Sequence, residues 1–553
     1  MIILLLFILT LLFVVPTAAY SQFTINGVSP AYNTSTNTFL FSISEDNEDK
    51  DWTADILMAE NSLWESMSID DVPVEGEFVF ESVDCHNKYV IKVTEQGESK
   101  VYFLQFTFLP LLLIEGNNFG NDYTDANVML QSDGSMTEVM KSKIKWRGAT
   151  TNSEGRNKRN YKIKFTDEDG NKKNYSFLGL RSDNSWILDA GQTDLFRMRN
   201  LIAARIWLDM AEKPYYNHYE SNIRSATRGQ VIELFINNEY RGLYNMCEPI
   251  DRKQMKLMKY DADGTIHGQL WKATAYDDAL FFSIPDEYDN TAEKNNVWEV
   301  KYPKIEDLCP SDYSTLRDAI VFVASSSDED FIDSVSYYFD IPVMIDYYLF
   351  ANLTNCFDIC GKNVYWAVYD KTEERKMTVA LWDLDCTMGQ SYYNADPRPD
   401  EAASNTPLLV INNLFNRLLQ LNVDLFYEKV CERYWTLRDD LFSTESLYRR
   451  YIDMYDNLYK SGAVSREENK WSHNSDIDGF ALDMNAELSY IVNWIEERMT
   501  FLDSQFPHNT ATSCIELKNN NSNHDRIFNI DGTLSTVYGR GIKISHGKKY
   551  VVK

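Results

Sequence analysis

One stretch of the sequence, from Asn355 to Gln390, constrains the fold more than any other, because a compact charged turn joins two short apolar runs there. The first run is VYWAVY after Asn363, the turn is DKTEERK, and the second run is MTVALW before Asp383. Runs of this length bounded by polar residues predict two antiparallel strands. A tight turn brings the outer ends of such strands together, so the sequence predicts that Asn363 and Asp383 are neighbours.

The outer ends of this predicted hairpin carry oxygen-bearing side chains. Asp358 precedes Asn363 in DICGKN, and Asp385 follows Asp383 in WDLDCTMG. The order Asp-x4-Asn, hairpin, Asp is that of the catalytic loop and metal-binding aspartate of protein kinases. Phosphoryl transfer needs one carboxylate toward the acceptor hydroxyl, and an amide and a carboxylate that hold divalent cations. The alternatives are an Asx turn at Asp358, and a structural cation site or helix caps at residues 383–385.

A second feature is a strand with alternating lysines. Arg147-Gly148 is followed by a loop rich in Ser, Thr and Asn, and then by the sequence YKIKF at residues 161–165. In a strand, Lys162 and Lys164 share one face and the apolar side chains share the other. Kinases reach the α- and β-phosphates with a lysine on a strand after a flexible loop, although this loop has no GxGxxG. The alternative for such a strand is a solvated sheet face.

Composition limits the function classes. The chain has 553 residues, 44% of them hydrophobic, and a formal net charge of −29. Apolar content of this size fills large cores and excludes wholesale disorder. The negative charge argues against general nucleic-acid binding, although it is compatible with a local basic groove. It favours basic partners at long range.

The N-terminus predicts export. Residues 2–15 are apolar apart from Thr10 and are followed by Pro16-Thr17-Ala18-Ala19, which is typical of a secretory signal peptide. We expect cleavage after Ala19 and a periplasmic, cell-surface or extracellular protein. An uncleaved N-terminal anchor is the alternative. No later segment approaches ~18 uninterrupted apolar residues, so the mature form is expected to have no transmembrane segment.

The rest of the chain divides into regions of different pattern. Residues 20–108 alternate like strands and predict a small β-sandwich module, and a large domain begins near Leu109. In it we expect a helix from Asp194 to Glu212, capped by Thr193 or Asp194, a hairpin around Asn237-Asn238, and helices over about 310–355 and 408–505. Residues 507–525 are expected to be a polar linker, and 526–553 a short β segment.

The cysteines do not form a recognisable framework. There are 8 cysteines and no CxxC pair, which argues against a zinc ribbon or a thioredoxin-type site. Cys356, Cys360 and Cys386 lie close to the predicted hairpin ends. The sequence leaves open whether they form a disulfide after export or remain buried thiols.

Five motifs together resemble the CotH kinase family, the atypical secreted kinases known from spore coats. They are RG…YKIKF, DLFRMRNLIAARIW, GLYNMCEPID, DICGKNVYW and LWDLDCTMGQ, which occur in the family's order over roughly residues 109–506. The resemblance implies an α+β fold, with a divergent protein-kinase-like two-lobed domain between the β-sandwich module and the β tail. The N-lobe would span about 109–250 and the C-lobe about 251–506.

The resemblance also implies an activity and its residues. It implies phosphorylation of protein Ser or Thr with ATP and Mg²⁺ or Mn²⁺. Asp358 would be the catalytic aspartate, and Asn363, Asp383 and Asp385 would hold the metal. Lys162, or else Lys164, would bind the nucleotide phosphates, and Glu248 would lie near adenine or else be a plain helix-start carboxylate.

One departure from the kinase pattern concerns the partner of Lys162. The helix predicted from Asp194 to Glu212 has no glutamate in its middle. The candidate partners are Glu212 at its end and Glu233 on a strand.

Two other function classes remain open from the sequence. Fungal members of the family are surface adhesins, so a non-catalytic binding protein is the main alternative. A glycoside hydrolase would need paired carboxylates among Glu233, Glu248, Asp383 and Asp385, and would leave Asn363 and Lys162 without a role. The C-terminal segment resembles sorting signals of exported proteins from Bacteroidetes-type bacteria, or is a terminal β element without that role.

Overall fold

The computed structural model describes residues 22–148, 150–285, 289–290, 292, 294–304, 312–390, 403–472 and 481–508, and the short strands at 528–529, 541–545 and 548–552. The predicted signal peptide and most of the predicted linker lie outside these residues. The described chain is a mixed α+β protein with a β-rich N-terminal module and a helical C-terminal region. None of its described helices is long and apolar enough to cross a membrane.

The N-terminal module consists of two sheets that share one apolar core. Phe23, Phe39, Trp64 and Phe106 are buried together in this core, and their rings contact one another or their neighbours at 5–6 Å between centroids. The sheet orders are β1-β4-β7 and β2-β3-β9-β8-β5-β6. The strands are β1 Phe23–Ile25, β2 Ala31–Asn33, β3 Thr38–Ser42, β4 Trp52–Met58, β5 Trp64–Ile69, β6 Val72–Pro73, β7 Gly76–Phe80, β8 Tyr89–Glu95 and β9 Glu98–Thr107.

The next sheet closes on itself. Its order is β10-β16-β17-β15-β14-β13-β11-β12, and β10 also pairs with β11. The closed sheet surrounds a core that includes Ile144, Ile163, Trp186 and Tyr244. The strands are β10 Leu111–Gly116, β11 Thr124–Ser132, β12 Ser135–Met136, β13 Met140–Arg147, β14 Asn160–Phe165, β15 Ser185–Asp189, β16 Gly229–Ile236 and β17 Glu239–Cys247.

Two local predictions are confirmed in this sheet. On β14 the side chains of Tyr161, Ile163 and Phe165 are buried in the core, while Lys162 and Lys164 lie on the opposite face and are partly exposed. β16 and β17 form the predicted hairpin around residues 237–238, which both have positive φ. Asparagine tolerates this backbone conformation, which such two-residue turns require.

The predicted helix from Asp194 to Glu212 is shorter than expected, and α1 spans Arg199–Met210. Residues 194–198 are not helical, because Arg197 has a φ of 66° and its guanidinium donates to the carbonyls of Gly191 and Gln192. Asp194 still serves the helix start, since its carboxylate accepts the backbone N–H of Arg199 at 2.7 Å. Buried hydrogen bonds of these charged side chains therefore override the apolar periodicity.

The remaining domain combines a second sheet with the predicted helices. Its sheet has the order β19-β20-β18-β21-β22, and its helices from α3 onward share one large apolar core with α1. The strands are β18 Gln269–Ala273, β19 Lys294–Asn295, β20 Trp298–Tyr302, β21 Val364–Val368 and β22 Thr378–Leu381, and the terminal strands are β23 Phe528–Asn529, β24 Gly541–Ser545 and β25 Lys548–Val552. The helices are α2 Arg252–Met255, α3 Ser314–Ser325, α4 Asp328–Tyr338, α5 Ile341–Thr354, α6 Asn413–Leu421, α7 Phe426–Arg438, α8 Thr444–Lys460, α9 Ala463–Trp471 and α10 Met484–Gln505.

A buried carboxylate on α9 joins the closed sheet to the helical region. Glu467 accepts Lys158 Nζ and Arg197 Nε, both at 2.7 Å, and the backbone N–H of Leu243 at 2.8 Å. The side chains of Glu467, Lys158 and Arg197 are fully buried. Position 242 must be glycine, because a Cβ there would lie 2.0 Å from Glu467 Oε2 and its φ is 90°. The loop before β14, the segment before α1 and strand β17 therefore all depend on this carboxylate.

Glu467→Gln should destabilise the fold by about 3–5 kcal/mol, because the two cations would stay buried without their counter-charge. Denaturant unfolding measures this change. The matched control is Glu445→Gln, which breaks an exposed pair with Arg449 on α8 and should cost at most about 0.5 kcal/mol. Equal stability of the two variants would contradict the structural role of Glu467.

Candidate phosphoryl-transfer site

The hairpin β21–β22 brings Asn363 and Asp383 together, as the sequence predicts. Val364 pairs with Leu381, and the backbone N–H of Trp382 donates to the carbonyl of Asn363 at 3.1 Å. Asn363 and Asp383 both have left-handed backbone angles, with φ of 61° and 62°. Asn and Asp tolerate this conformation better than other side chains, and such strain is concentrated at functional sites.

Asp358 lies beside this hairpin end on a short turn that follows α5. Asn363 Nδ2 donates to Asp358 Oδ2 at 2.7 Å. Asp358 Oδ1 accepts the hydroxyl of Tyr276 at 2.8 Å and pairs with Lys362 Nζ at 2.7 Å. The side chains of Asp358 and Asn363 are therefore in direct contact, and both oxygens of the carboxylate are engaged.

The carboxylates of Asp383 and Asp385 lie in the same electrostatic environment. Burial raises the pKa of both carboxyls, and the charges of Asp189 and Asp358 raise these pKa values further. Lys272 opposes the shift at Asp383. The carboxylate of Asp383 makes no hydrogen bond or ion pair within the described part of the chain, whereas Asp385 accepts the hydroxyl of Thr193 at 3.4 Å. The carboxylates of Asp358, Asp383 and Asp385 form an acidic cluster in partly buried surroundings. Such a cluster favours the binding of a cation.

Asp189 lies beside this cluster, and the sequence analysis missed it. It ends β15, and its carboxylate accepts Asn200 Nδ2 from α1 at 2.7 Å and the N–H of Gly191 at 3.2 Å. Asn200 Oδ1 in turn accepts the N–H of Leu384, at 3.0 Å, between Asp383 and Asp385. The sequence feature that could have identified Asp189 is its position as the acidic last residue of the strand SWILD, shortly before the predicted helix.

Lys162 lies on the outer face of the closed sheet, opposite Ile187 on β15 and Lys145 on β13. Burial lowers the pKa of Lys162 to about 8, and the positive charges of Lys304, Lys164, Arg147 and Lys301 contribute to the shift. Lys162 has no ion-pair or hydrogen-bond partner among the described residues. A half-buried ammonium group with cations as its neighbours favours an anionic ligand.

Two further cations connect Lys162 with the acidic cluster, and the sequence analysis gave neither a role. The guanidinium of Arg147, at the end of β13, lies 5.0 Å from the ring centroid of Trp382, and its charge acts on both Lys162 and Asp383. Lys272 on β18 has its pKa lowered to about 8 by burial, against the effect of Asp383. Lys164, the second predicted lysine, lies over the ring of Tyr123 at 4.7 Å.

The structure does not support the predicted contact of Glu248 with adenine. Glu248 is fully buried, its Oε1 accepts the N–H of Arg181 at 2.7 Å, and Arg224 lies 3.6 Å from its Oε2. Ile187, Cys247 and Trp382 instead fill the space between the two sheets with a buried apolar cluster. Full burial argues against direct contact of this carboxylate with a nucleotide, and equally with a sugar in the glycoside-hydrolase alternative.

Neither candidate glutamate pairs with Lys162. Glu212 lies 3.4 Å from Arg433, and Glu233 forms a buried pair with Arg466 at 2.7 Å. Glu233 is fully buried, so it is not available to a sugar either. Lys158 and Glu467 form a buried lysine–glutamate pair elsewhere in the described chain, and Lys158 lies on the loop before β14.

The oxygen donors at the hairpin end fit a divalent cation. Mg²⁺ and Mn²⁺ prefer carboxylate and amide oxygens. In the described residues, no group of three or more His, Cys, Asp or Glu side chains is arranged to hold a metal ion. A metal here therefore needs the amide oxygen of Asn363, which accepts no hydrogen bond from a described residue, together with Asp383.

Cys356, Cys360 and Cys386 are free, buried thiols in the structure. Burial and nearby carboxylates raise the pKa of Cys356 and Cys386 well above the usual value. Of the two options that the sequence left open, the structure therefore has the thiols, which pack against the site without being reactive.

A comparison with protein-family models matches residues 144–502 to the CotH kinase protein family. The match covers more than half of the chain and includes the second half of β13, the acidic cluster and α9. The chain belongs to the CotH kinase family. A comparison with curated proteins gave no match. The N-terminal β module lies outside the matched range.

The lowered pKa of Lys162 predicts a pH dependence of anion binding. Metal-free inorganic tripolyphosphate should bind at Lys162 less tightly as the pH rises from 7 to 9, because the amine loses its charge above a pKa of about 8. Lys162→Gln should weaken binding by about 10- to 100-fold at pH 7, the loss of one charged hydrogen bond, and should flatten this pH dependence. Isothermal titration calorimetry measures both effects.

Lys141→Gln is the matched control, because Lys141 is an exposed lysine on β13 that bonds Asn127. It should bind tripolyphosphate like the unmodified protein. Identical affinities for the two variants across the pH range would exclude Lys162 as an anion-binding group.

Proposed function

We propose that the chain is an atypical protein kinase that transfers the γ-phosphate of ATP to Ser or Thr hydroxyls of protein substrates. The observation that carries the proposal is the joint position of Asp358, Asn363 and Asp383. Asn363 hydrogen-bonds Asp358, and the β21–β22 ladder places Asp383 next to Asn363. These residue types in this order are those that phosphoryl transfer uses.

The arrangement of the closed sheet supports an unusual position for the nucleotide lysine. In protein kinases this lysine is on the third strand of the small lobe, and helix αC supplies its glutamate. If β13, which precedes the hydroxyl-rich loop, is counted as the first strand, then β14 is the second and β15 is the third. The helix that follows β15 is α1. β15 has no lysine, and Ile187 lies beside Lys162 of the neighbouring strand. Lys162 would therefore reach the phosphates from the second strand.

The contact between β15 and α1 has a different chemistry from a lysine–glutamate pair. Asp189 and Asn200 form the hydrogen bond between strand and helix here. It fixes α1 against the acidic cluster without providing a charge for Lys162. The lysine keeps its positive charge for an anion, and its lowered pKa agrees with the missing carboxylate.

Each residue has a separate role in the proposed reaction. Lys162 binds the phosphates. Arg147, whose guanidinium lies over the ring of Trp382, provides a second positive charge near them. Asp383 and the amide oxygen of Asn363 would hold a divalent cation, and Asp385 would be a further ligand. The bound cation would neutralise the phosphate charge. Asp358 orients the acceptor hydroxyl and accepts its proton.

Asp383→Asn should lower phosphate transfer by about 10²–10³-fold, because an amide removes one charge from a preorganised electrostatic contact. It should not destabilise the fold, since burial and like charges already raise the pKa of this carboxyl. Transfer of labelled phosphate and thermal unfolding are measured on the same preparation. The control is Asp424→Asn, an exposed carboxylate that pairs with Lys429.

Unchanged transfer by Asp383→Asn would refute the assignment of this residue. The adhesin alternative would be favoured if the unmodified protein bound ATP in a metal-dependent way but transferred phosphate to no acceptor, itself included.

We further infer that this kinase acts after export, because residues 2–15 and the small residues before Tyr20 have the pattern of a signal peptide. N-terminal sequencing of secreted protein should begin near Tyr20, and soluble cytosolic protein with an intact Met1 would contradict export. The net charge of −29 favours basic substrates at long range, while the lysines around Lys162 favour anions inside the cleft. Because these two effects oppose each other, the preference for basic substrates remains a prediction.

A further inference from the structure

Tyr276 has a fitted position beside Asp358. Its ring lies 5.3 Å from the ring of Phe357, and Lys362 Nζ lies 5.7 Å from its centroid. Gly361 leaves the space for it, because a Cβ at that position would lie 2.8 Å from Cδ1 of Tyr276. The ring is therefore fixed by packing on several sides.

The hydroxyl of Tyr276 satisfies the distance that a general base requires of its substrate. It lies 2.8 Å from Asp358 Oδ1, within the ~2.6–3.2 Å needed for proton transfer. The other oxygen of Asp358 is taken by the amide of Asn363. An acceptor hydroxyl from a substrate would need the same oxygen that Tyr276 now contacts.

We propose that Tyr276 is an acceptor of this site and that the chain phosphorylates its own Tyr276 hydroxyl; the inference rests on the proposed function. In this step Tyr276 Oη forms a bond to the γ-phosphorus of ATP. The bond from that phosphorus to the oxygen bridging to the β-phosphate breaks, and ADP leaves with the electron pair. The phenol proton passes to Asp358 Oδ1.

Tethering explains why a site proposed for Ser and Thr accepts this phenol. A hydroxyl that is already held against the base does not have to be bound from solution. Effective molarities for well-oriented intramolecular groups reach ~10⁵–10⁸ M. The fixed ring of Tyr276 thus replaces the binding contacts that select a substrate side chain.

The product would open the acceptor site. A phosphotyrosine carries a charge of about −1.5 to −2, and beside the Asp358 carboxylate it is repelled. Lys362, which now pairs with Asp358 at 2.7 Å, is close enough to the ring to pair with the new phosphate. The modified side chain then leaves Asp358 Oδ1 to the hydroxyl of a protein substrate, so self-phosphorylation precedes transfer to other proteins.

The experiment incubates the full chain with labelled ATP and Mn²⁺, with casein or histone as acceptor probes, and maps the label by peptide mass spectrometry. Phosphate should appear on Tyr276 with a first-order rate constant that does not depend on protein concentration. Transfer to casein or histone should show a lag. Tyr276→Phe should lose this phosphate and transfer to the probes without a lag, because no hydroxyl remains on Asp358.

The matched control is Tyr427→Phe, because Tyr427 is another partly buried tyrosine whose hydroxyl donates to the carbonyl of Gln505. It should retain both the Tyr276 phosphate and the lag. Transfer to casein or histone by the unmodified protein without phosphate on Tyr276 would overturn this inference and leave the proposed function intact. A Tyr276 rate constant that rises with protein concentration would also overturn it. No transfer to any acceptor would overturn both.

Discussion

The buried carboxylate of Glu467 is the interaction on which the arrangement of the domain depends. It binds a lysine from the loop before β14, an arginine from the segment before α1 and a backbone N–H of β17. These are the strands and the helix that position Lys162 and Asp189. Two cations and one anion without solvent exposure are costly unless all are paired, so displacement of any one of these elements would leave a buried charge without its partner. Arg199, which contacts Asp194 and Glu487 from a similarly buried position, fixes the start of α1 against α10 in the same way.

Around this frame, charges of opposite sign are gathered on different elements, with lysines on β13 and β14 and carboxylates at the end of the β21–β22 hairpin. The outer face of β13 and β14 carries lysines in directly opposed pairs, Lys145 with Lys162 and Lys143 with Lys164. Like charges in such pairs destabilise a sheet. Asp358, Asp383 and Asp385 lie together at the end of the β21–β22 hairpin, where burial and the neighbouring negative charges raise the pKa of Asp383 and Asp385. Anionic oxygens of a ligand would reduce the repulsion among the lysines, and a cation would reduce the repulsion among the carboxylates. A metal-bound nucleotide would supply both.

Local patterns predicted the parts of the site that lie within one hairpin or one strand. The β21–β22 pairing next to Asn363 follows from two apolar runs and a turn, and the outward lysines of β14 follow from alternation. The sequence did not predict contacts that depend on distant packing. Glu248 is fully buried. α1 starts at Arg199 because Asp194 and Arg197 are engaged in buried bonds. Asp189 lies beside the acidic cluster, where it accepts a hydrogen bond from Asn200. Closure of the sheet between β10 and β11 was equally invisible to local patterns.

The most direct test of the account is a crystal structure of the protein with Mn²⁺ and a non-hydrolysable ATP analogue. Anomalous scattering identifies the metal independently of the model for the nucleotide. The account predicts that Mn²⁺ contacts the Asp383 carboxylate and the Asn363 amide oxygen, with the triphosphate against Lys162. A nucleotide bound outside the cleft between β14 and the β21–β22 hairpin, or a metal without contact to Asp383, would contradict it.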